Sequence, residues 1–257
     1  MVKGKRQRLI LDIIQKQKIL STKEFLEIFR SVEASVSESS LRRDLRDLET
    51  QGIIMIEHGC ILPIQPANNS VRRGGWDPHY MEKRAIGRKA AEIIREGETI
   101  VLDSGTTVLE LVRALDPMLR ITCITNDLSI ALELTSKPLI ETIVLGGCLN
   151  AQDRALYGSS AIHFLKTFHA QKVFLGTAGI SRDIGITNSN LRLLQVRKEM
   201  ISVSEKVIVL ADSSKFQKIG LVSVIPLESI DMLITSANLP DDCKKILTDL
   251  NVEVVYA

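Results

Sequence analysis

The 257-residue chain is 45% hydrophobic and 25% charged, with a net charge of +2, a composition that excludes a disordered, fibrous or collagen-like protein. Its length suits two domains, one with a sizeable core. No apolar run approaches the roughly 20 residues that span a bilayer, and the basic first residues have no apolar stretch behind them, so a cytoplasmic protein with no membrane partner is expected. Cys60, Cys123, Cys148 and Cys243, and the four histidines, form no CxxC or paired-ligand pattern. They read as buried thiols and isolated imidazoles, with no metal or other cofactor. The charge is uneven: residues 1–75 carry 13 Lys and Arg against 9 Asp and Glu, and the remainder 20 against 22, so the positive excess lies in the smaller part, where a polyanion would dock.

The first predicted helix covers residues 7–18, where Leu9, Ile10, Ile13 and Ile14 recur at helical spacing. Ser21-Thr22-Lys23-Glu24 has the form of a capping box ahead of Phe25, Ile28 and Phe29, and starts a second helix. Ser37 is an N-cap for a third, in which Leu41, Leu45 and Leu48 share one face, Arg42, Arg43 and Arg46 the other, and Gly52 is the stop. Residues 53–57, the turn His58-Gly59 and residues 60–62 then read as a hairpin ended by Pro63. Three helices and a hairpin make a winged helix-turn-helix. The third helix of such a head enters the major groove, so Ser37, Ser39, Ser40, Arg42, Arg43 and Arg46 are the candidate DNA contacts.

The run Val36-Ser37-Glu38-Ser39-Ser40-Leu41-Arg42-Arg43-Asp44-Leu45, followed by Leu48-Glu49 and Gly52, resembles the recognition-helix signature of the DeoR family of bacterial regulators, roughly VSxxTIRRDLxxLexxG. Ser40 stands for the usual threonine and Leu41 for the usual isoleucine. Residues 30–35 are about five longer than the family's connection, and the wing carries His58-Gly59-Cys60 where members often have two glycines after the histidine.

Residues 64–79 lack sustained periodicity and read as a linker, which gives a head at 1–63 and a second domain at 80–257. In that domain helical patterns alternate with β-branched runs at 99–102, 121–125, 143–145, 172–175, 206–211, 232–235 and 252–256. That alternation predicts an α/β domain built on a largely parallel sheet, whose ligands gather at the carboxyl ends of the strands. The first strand runs into Asp103-Ser104-Gly105-Thr106-Thr107 and then an apolar helix, a site suited to phosphate. Asn126, Gly146-Gly147, Gly176-Thr177-Ala178-Gly179 and Asp212-Ser213-Ser214-Lys215 follow other strands, and Lys215 could add a positive charge.

These motifs, with Glu82-Lys83, Gly158, Gly185-Ile186-Thr187 and Phe216, are similar in type and order to those of the DeoR sensor domain. The resemblance implies a fold like ribose-5-phosphate isomerase and the CoA transferases, and a phosphorylated sugar as effector. It implies ligand contacts at Asp103, Ser104, Gly105, Thr106, Thr107, Asn126, Gly147 and Lys215. One departure follows the Gly-Ile-Thr loop: where the family has a glutamate and, four residues on, a lysine, this chain has Leu193 and Arg197. The expected protein is a non-enzymatic repressor of a carbohydrate-utilisation operon, binding operator DNA as a homodimer or homotetramer. The alternatives are a sugar-phosphate isomerase with an added N-terminal domain, for which Asp103 or Asp212 could be the base, and a DNA-binding scaffold with a vestigial second domain.

Overall fold

The structure, a computed structural model, describes residues 3–17, 20–33, 35–50, 53–57, 60–63, 77, 79–216, 218–248 and 252–257. Gly52, the turn His58-Gly59 and nearly all of the expected linker lie outside them. The chain divides into two compact units, Met1–Pro78 and His79–Ala257.

In the first unit α1 (Lys3–Gln17) leads through β1 (Leu20–Ser21) into α2 (Thr22–Val32), α3 (Glu38–Thr50), β2 (Ile54–Glu57) and β3 (Cys60–Pro63). Helix α1 starts a turn earlier than its apolar spacing suggested. The capping box is formed in full: Ser21 Oγ accepts from Glu24 N, and Glu24 Oε2 accepts from Ser21 N at 2.8 Å. The extra residues after Arg30 are partly helical, since α2 continues to Val32 and closes with Glu33 N donating to Phe29 O. Ser37 begins α3, its carbonyl accepting from Leu41 N at 3.1 Å. The strands pair antiparallel in the order β1-β3-β2. Ile10, Ile14, Phe25, Phe29, Leu41, Leu45, Leu48, Ile54 and Ile61 fill one core, and each such side chain contributes about 1.5–3 kcal/mol on burial. Of the Arg42-Arg43-Asp44 triplet, the arginines are exposed while Asp44 is buried and paired with Arg6 of α1, so the acid of the motif braces the helices.

The second unit runs α4 (Tyr80–Glu92), β4 (Thr99–Leu102), α5 (Thr106–Ala114), β5 (Thr122–Thr125), α6 (Leu128–Leu134), β6 (Glu141–Val144), β7 (Cys148–Asn150), β8 (Ala155–Tyr157), α7 (Ser159–Leu165), β9 (Ala170–Gly176), β10 (Gly179–Ser181), β11 (Gly185–Asn188), α8 (Leu194–Ser202), β12 (Ser204–Ala211), β13 (Val222–Ile225), β14 (Met232–Thr235), α9 (Asp241–Thr248) and β15 (Glu253–Tyr256). The seven expected strands are the seven of one sheet, ordered β15-β14-β12-β9-β4-β5-β6, with every pair parallel. Both faces of the inner strands are covered, so their buried stretches are apolar and alternate between two cores, while the edge strands β6 and β15 are exposed at both ends. Ile100, Leu102, Cys123, Phe174, Ile208, Leu210 and Ile234 pack with α4, α5 and α6. Val101, Ile124, Val173, Leu175, Val209 and Leu233 pack with α7, α8 and α9.

Helices α4 and α5 touch through Gly87, where a Cβ would lie 2.5 Å from the carbonyl carbon of Glu110, so no larger residue fits without parting them. The hairpin β7-β8 and the antiparallel sheet β10-β11-β13 escaped the sequence reading, because strands of three or four residues carry too short an alternation. Cys123 and Cys243 are buried, and burial pushes the Cys123 thiol up to about 12. Cys148 on β7 is exposed, which corrects its reading as a buried thiol. Among the described residues no helix is long and apolar enough to cross a membrane.

Candidate effector site and nucleic-acid interface

The strand order reverses between β4 and β9, which pair although β5 to β8 lie between them in sequence. Such a switch point opens a crevice at the carboxyl ends of its two strands. Asp103 stands at the end of β4, fully buried. Its Oδ2 accepts from Gly176 N at the end of β9 at 3.2 Å. Arg197 Nε, reaching in from α8, donates to both carboxylate oxygens at 3.0 and 2.9 Å, and Nη2 donates to Ser104 Oγ at 3.2 Å. Asp103, expected to face a ligand, is thus engaged by the residue noted as a departure from the family pattern. Leu193 lies in the core at 1% exposure.

Ser104 to Thr107 turn into α5, with Gly105 as N-cap at φ 150°. Thr106 Oγ1 accepts from Lys83 Nζ of α4 at 3.0 Å, and Lys83 Nζ lies 3.8 Å from Asp212 Oδ2, as does Lys215 Nζ. Burial opposes the charge of Asp212, but Lys215, Ser214 and Lys83 more than offset it and hold its pKa below the ordinary value. Glu82, one residue before Lys83, accepts from Ser213 N at 2.8 Å and pairs with His79 Nδ1 at 2.9 Å. Here two ammonium groups and the Thr106 hydroxyl gather beside the N-terminus of α5, an arrangement whose charge and donors suit a phosphate. His79, Glu82 and Asp212 also gather three ligand atoms within 4.8 Å, but the lysines already supply the positive charge a cation would bring.

Asn126 and Gly147, the other two ligand candidates, are tied to the β7-β8 hairpin. Asn126 Nδ2 donates to Leu156 O at 2.9 Å, and Gly147, at φ +134°, packs so that a Cβ would lie 2.4 Å from Tyr157 O. Among the described residues four buried side-chain atoms lack a hydrogen-bond partner, a costly condition: Gln7 Nε2 in the head, and Asn126 Oδ1, Arg197 Nη1 and Asp212 Oδ2 in the second unit. Lys83, Glu82, Arg197 and Asp127 were absent from the sequence-derived contact set. The paired motif Glu82-Lys83 and the departure at Arg197 were the available signals, since burial of a lysine or arginine cannot be read from its neighbours.

Asp127 caps α6, its Oδ1 accepting from Ser129 N at 2.7 Å and Ile130 N at 3.1 Å. Burial raises its pKa to about 6 against these bonds and one from Gly105 N-H, and the charge of Asp103 adds to the rise. A folded-state pKa above the unfolded value of about 3.9 means that the native state binds the extra proton, so this group's contribution falls as pH rises from about 4 to 6. An asparagine at this position keeps the cap without the charge. Compared with wild type in urea unfolding, Asp127→Asn is expected to gain on the order of 2–3 kcal/mol between pH 4 and pH 8; a difference independent of pH refutes this.

In the head, the DNA candidates lie on one side of α3. Arg42, Arg43 and Arg46 are exposed, as are Ser37 and Ser39, with Ser40 half-buried. Ser37 Oγ stands 3.1 Å from Ser39 Oγ and 2.9 Å from Ser40 Oγ, so the three hydroxyls cluster at the leading end of the helix. That is the end which reads base edges in helix-turn-helix heads.

Residues 6–66 match the profile of the DeoR-like helix-turn-helix domain and residues 78–237 that of the DeoR C-terminal sensor domain. The chain belongs to the DeoR family. This DeoR-family protein is 35% identical over 243 residues to the HTH-type transcriptional repressor GlcR of Bacillus subtilis, covering 94% of this chain and 91% of that one. It is 29% identical over 259 residues to the glycerol-3-phosphate regulon repressor of Escherichia coli, covering 99% of each. Ribose 5-phosphate isomerase A of Methanocaldococcus jannaschii is similar over 54% of this chain and 55% of its own, at 14% identity and a TM-score of 0.41. As a DeoR-family member the protein is a DNA-binding transcriptional regulator and not an enzyme.

Proposed function

We propose that this regulator is a cytoplasmic repressor of a carbohydrate-utilisation operon, whose hold on its operator is changed by a phosphorylated sugar. The observation that carries the reading is the meeting of Lys83, Lys215, Thr106 and the α5 N-terminus at the carboxyl edge of the sheet. The names of GlcR and of the glycerol-3-phosphate repressor support it. Asp103, Ser104, Gly105, Thr106, Thr107 and Lys215 serve the phosphate end of the effector, Asp103 by placing Ser104, while Asn126 and Gly147 serve the far end where the hairpin docks. Ser37, Ser39, Ser40, Arg42, Arg43 and Arg46 contact DNA. The working division is a head to Pro63, a connector over 64–79 and a sensor from Tyr80, matching the end of β3 and the start of α4. A two- or four-fold homo-oligomer follows from the symmetry of operators.

The test is a titration of the purified protein with a labelled fragment from upstream of its own gene, at fixed salt, with and without a panel of sugar phosphates. One phosphorylated sugar is expected to change operator affinity at least about tenfold, a differential of roughly 1.4 kcal/mol between the two states, while its unphosphorylated form does nothing. Specific binding that no phosphorylated compound alters rejects the effector; binding without sequence preference rejects the regulator.

A further inference from the structure

The recognition helix carries a carboxylate that none of the foregoing uses. Glu38 is the first residue of α3. Its Oε1 accepts from Arg42 Nε at 2.9 Å and lies 2.8 Å from Arg42 Nη2. Its Oε2 accepts from Arg30 Nη2 at 2.7 Å. Arg30 belongs to the last turn of α2, so the clamp joins two helices through the lengthened end of α2. The Glu38, Arg42 and Arg30 side chains remain 39, 52 and 53% exposed, and the arginines hold the carboxyl below the usual carboxylate range, Arg42 foremost.

Exposed ion pairs of this kind add little to stability, and an acid on a face that docks against phosphates weakens DNA binding by repulsion. A negative charge in the first turn suits the helix dipole, but that does not account for a carboxylate clamped between two arginines. Its chemistry does. A carboxylate offers about four acceptor directions; the arginines' hydrogen bonds take one on Oε1 and one on Oε2, which leaves Oε2 able to accept again. The first residues of a recognition helix face base edges, where a carboxylate accepts from the exposed amino group of cytosine. The two guanidinium groups leave the triad with a net positive charge, which offsets the repulsion from the backbone.

We infer that Glu38 is a sequence-specificity residue of the head: held between Arg30 and Arg42, its carboxylate accepts a hydrogen bond from the amino group of a cytosine in the major groove. The inference rests on α3 being the helix that faces DNA.

The test uses the full-length protein and its Glu38→Ala, Glu38→Gln and Arg43→Ala variants. Each is used to select duplexes from a random pool, and affinities for the selected and for random-sequence DNA are measured across salt concentrations. Wild type is expected to select cytosine at one fixed position of each half-site. Glu38→Ala loses that preference by roughly 10- to 100-fold while binding random DNA at least as tightly as wild type, because one negative charge has left the face. Glu38→Gln moves the preference toward adenine, which pairs with an amide. Mere loss of support for the arginines would instead weaken selected and random duplexes together, and that result overturns the inference, as does unchanged base selection by Glu38→Ala. Arg43→Ala separates the two readings. If it weakens operator binding by roughly 10- to 100-fold and Glu38→Ala still selects wild-type sequences, the Glu38 inference alone fails. If Arg43→Ala binds as wild type does, α3 is not the DNA-facing helix and both fail. Arg43 and Glu38 lie outside the buried core, so folding is not at stake in any of the three variants.

Discussion

Arg197→Ala is expected to lower the stability of the sensor unit by about 3–5 kcal/mol, the usual cost of stranding one member of a buried ion pair. Arg197 is 4% exposed and Asp103 not exposed at all, so the carboxylate would keep Gly176 N and Ser104 Oγ as neighbours and lose the cation paired with it. For a unit of this size that is a fall in melting temperature on the order of 10 °C, read by calorimetry. The physical cause can be isolated. If the cost is the stranded charge, adding Asp103→Asn to Arg197→Ala returns a good part of it. If it is lost packing of the arginine stem, the second change makes matters worse. Arg197→Lys keeps the charge but cannot reach Asp103 and Ser104 together as a fork does, and should fall between wild type and alanine. A melting point within a degree of wild type for Arg197→Ala would show that the pair does not hold the switch point.

Lys83→Met carries the second large effect, on ligand affinity. The ammonium donates to Thr106 Oγ1 beside the α5 N-terminus and faces Asp212. A hydrogen bond to a charged group contributes about 1.5–3 kcal/mol, so binding of the phosphorylated effector should weaken by roughly 10- to 100-fold. Operator binding without effector should be unchanged. Methionine approximates the stem in length, which limits the packing change. Acid sensitivity should increase as well. The pKa of Asp212 is lowered, so its contribution is present above the unfolded value and is lost as pH falls through the folded one; without Lys83 that loss begins at a higher pH. Calorimetric titration checks the affinity, and an unaltered affinity for the sugar phosphate would move the phosphate site away from Lys83.

The elements were legible where one physical signal dominated. The β-branched runs became parallel strands, most clearly in the inner strands, where a sheet covered on both faces leaves no polar alternation to confuse the reading. The capping box at Ser21 and Glu24 marked the start of α2 to the residue, because its chemistry is local. What the sequence did not disclose was long-range. Arg197 and Asp103 are 94 residues apart, and nothing near Arg197 says that it leaves its helix for the end of β4. The burial of Asp44, inside a run of residues read as DNA-facing, likewise depends on where Arg6 of another helix sits. The loop Ser104 to Thr107 between β4 and α5 was visible, since glycine and hydroxyls between a strand and a helix have a local meaning. Lys83 of α4, which bonds Thr106 in that loop, was named only as part of a motif.

The position of α4 in the chain has a further meaning. It is the first helix after the connector, and two of its earliest residues, Glu82 and Lys83, grip the Asp212–Lys215 loop and the start of α5. A message written in the ligand crevice therefore has no sheet to cross on its way out. With the phosphate site as proposed, the covalent path to the DNA-binding head leaves from the same turn of helix that would sense the ligand, so receiver and root of the tether would share a single turn.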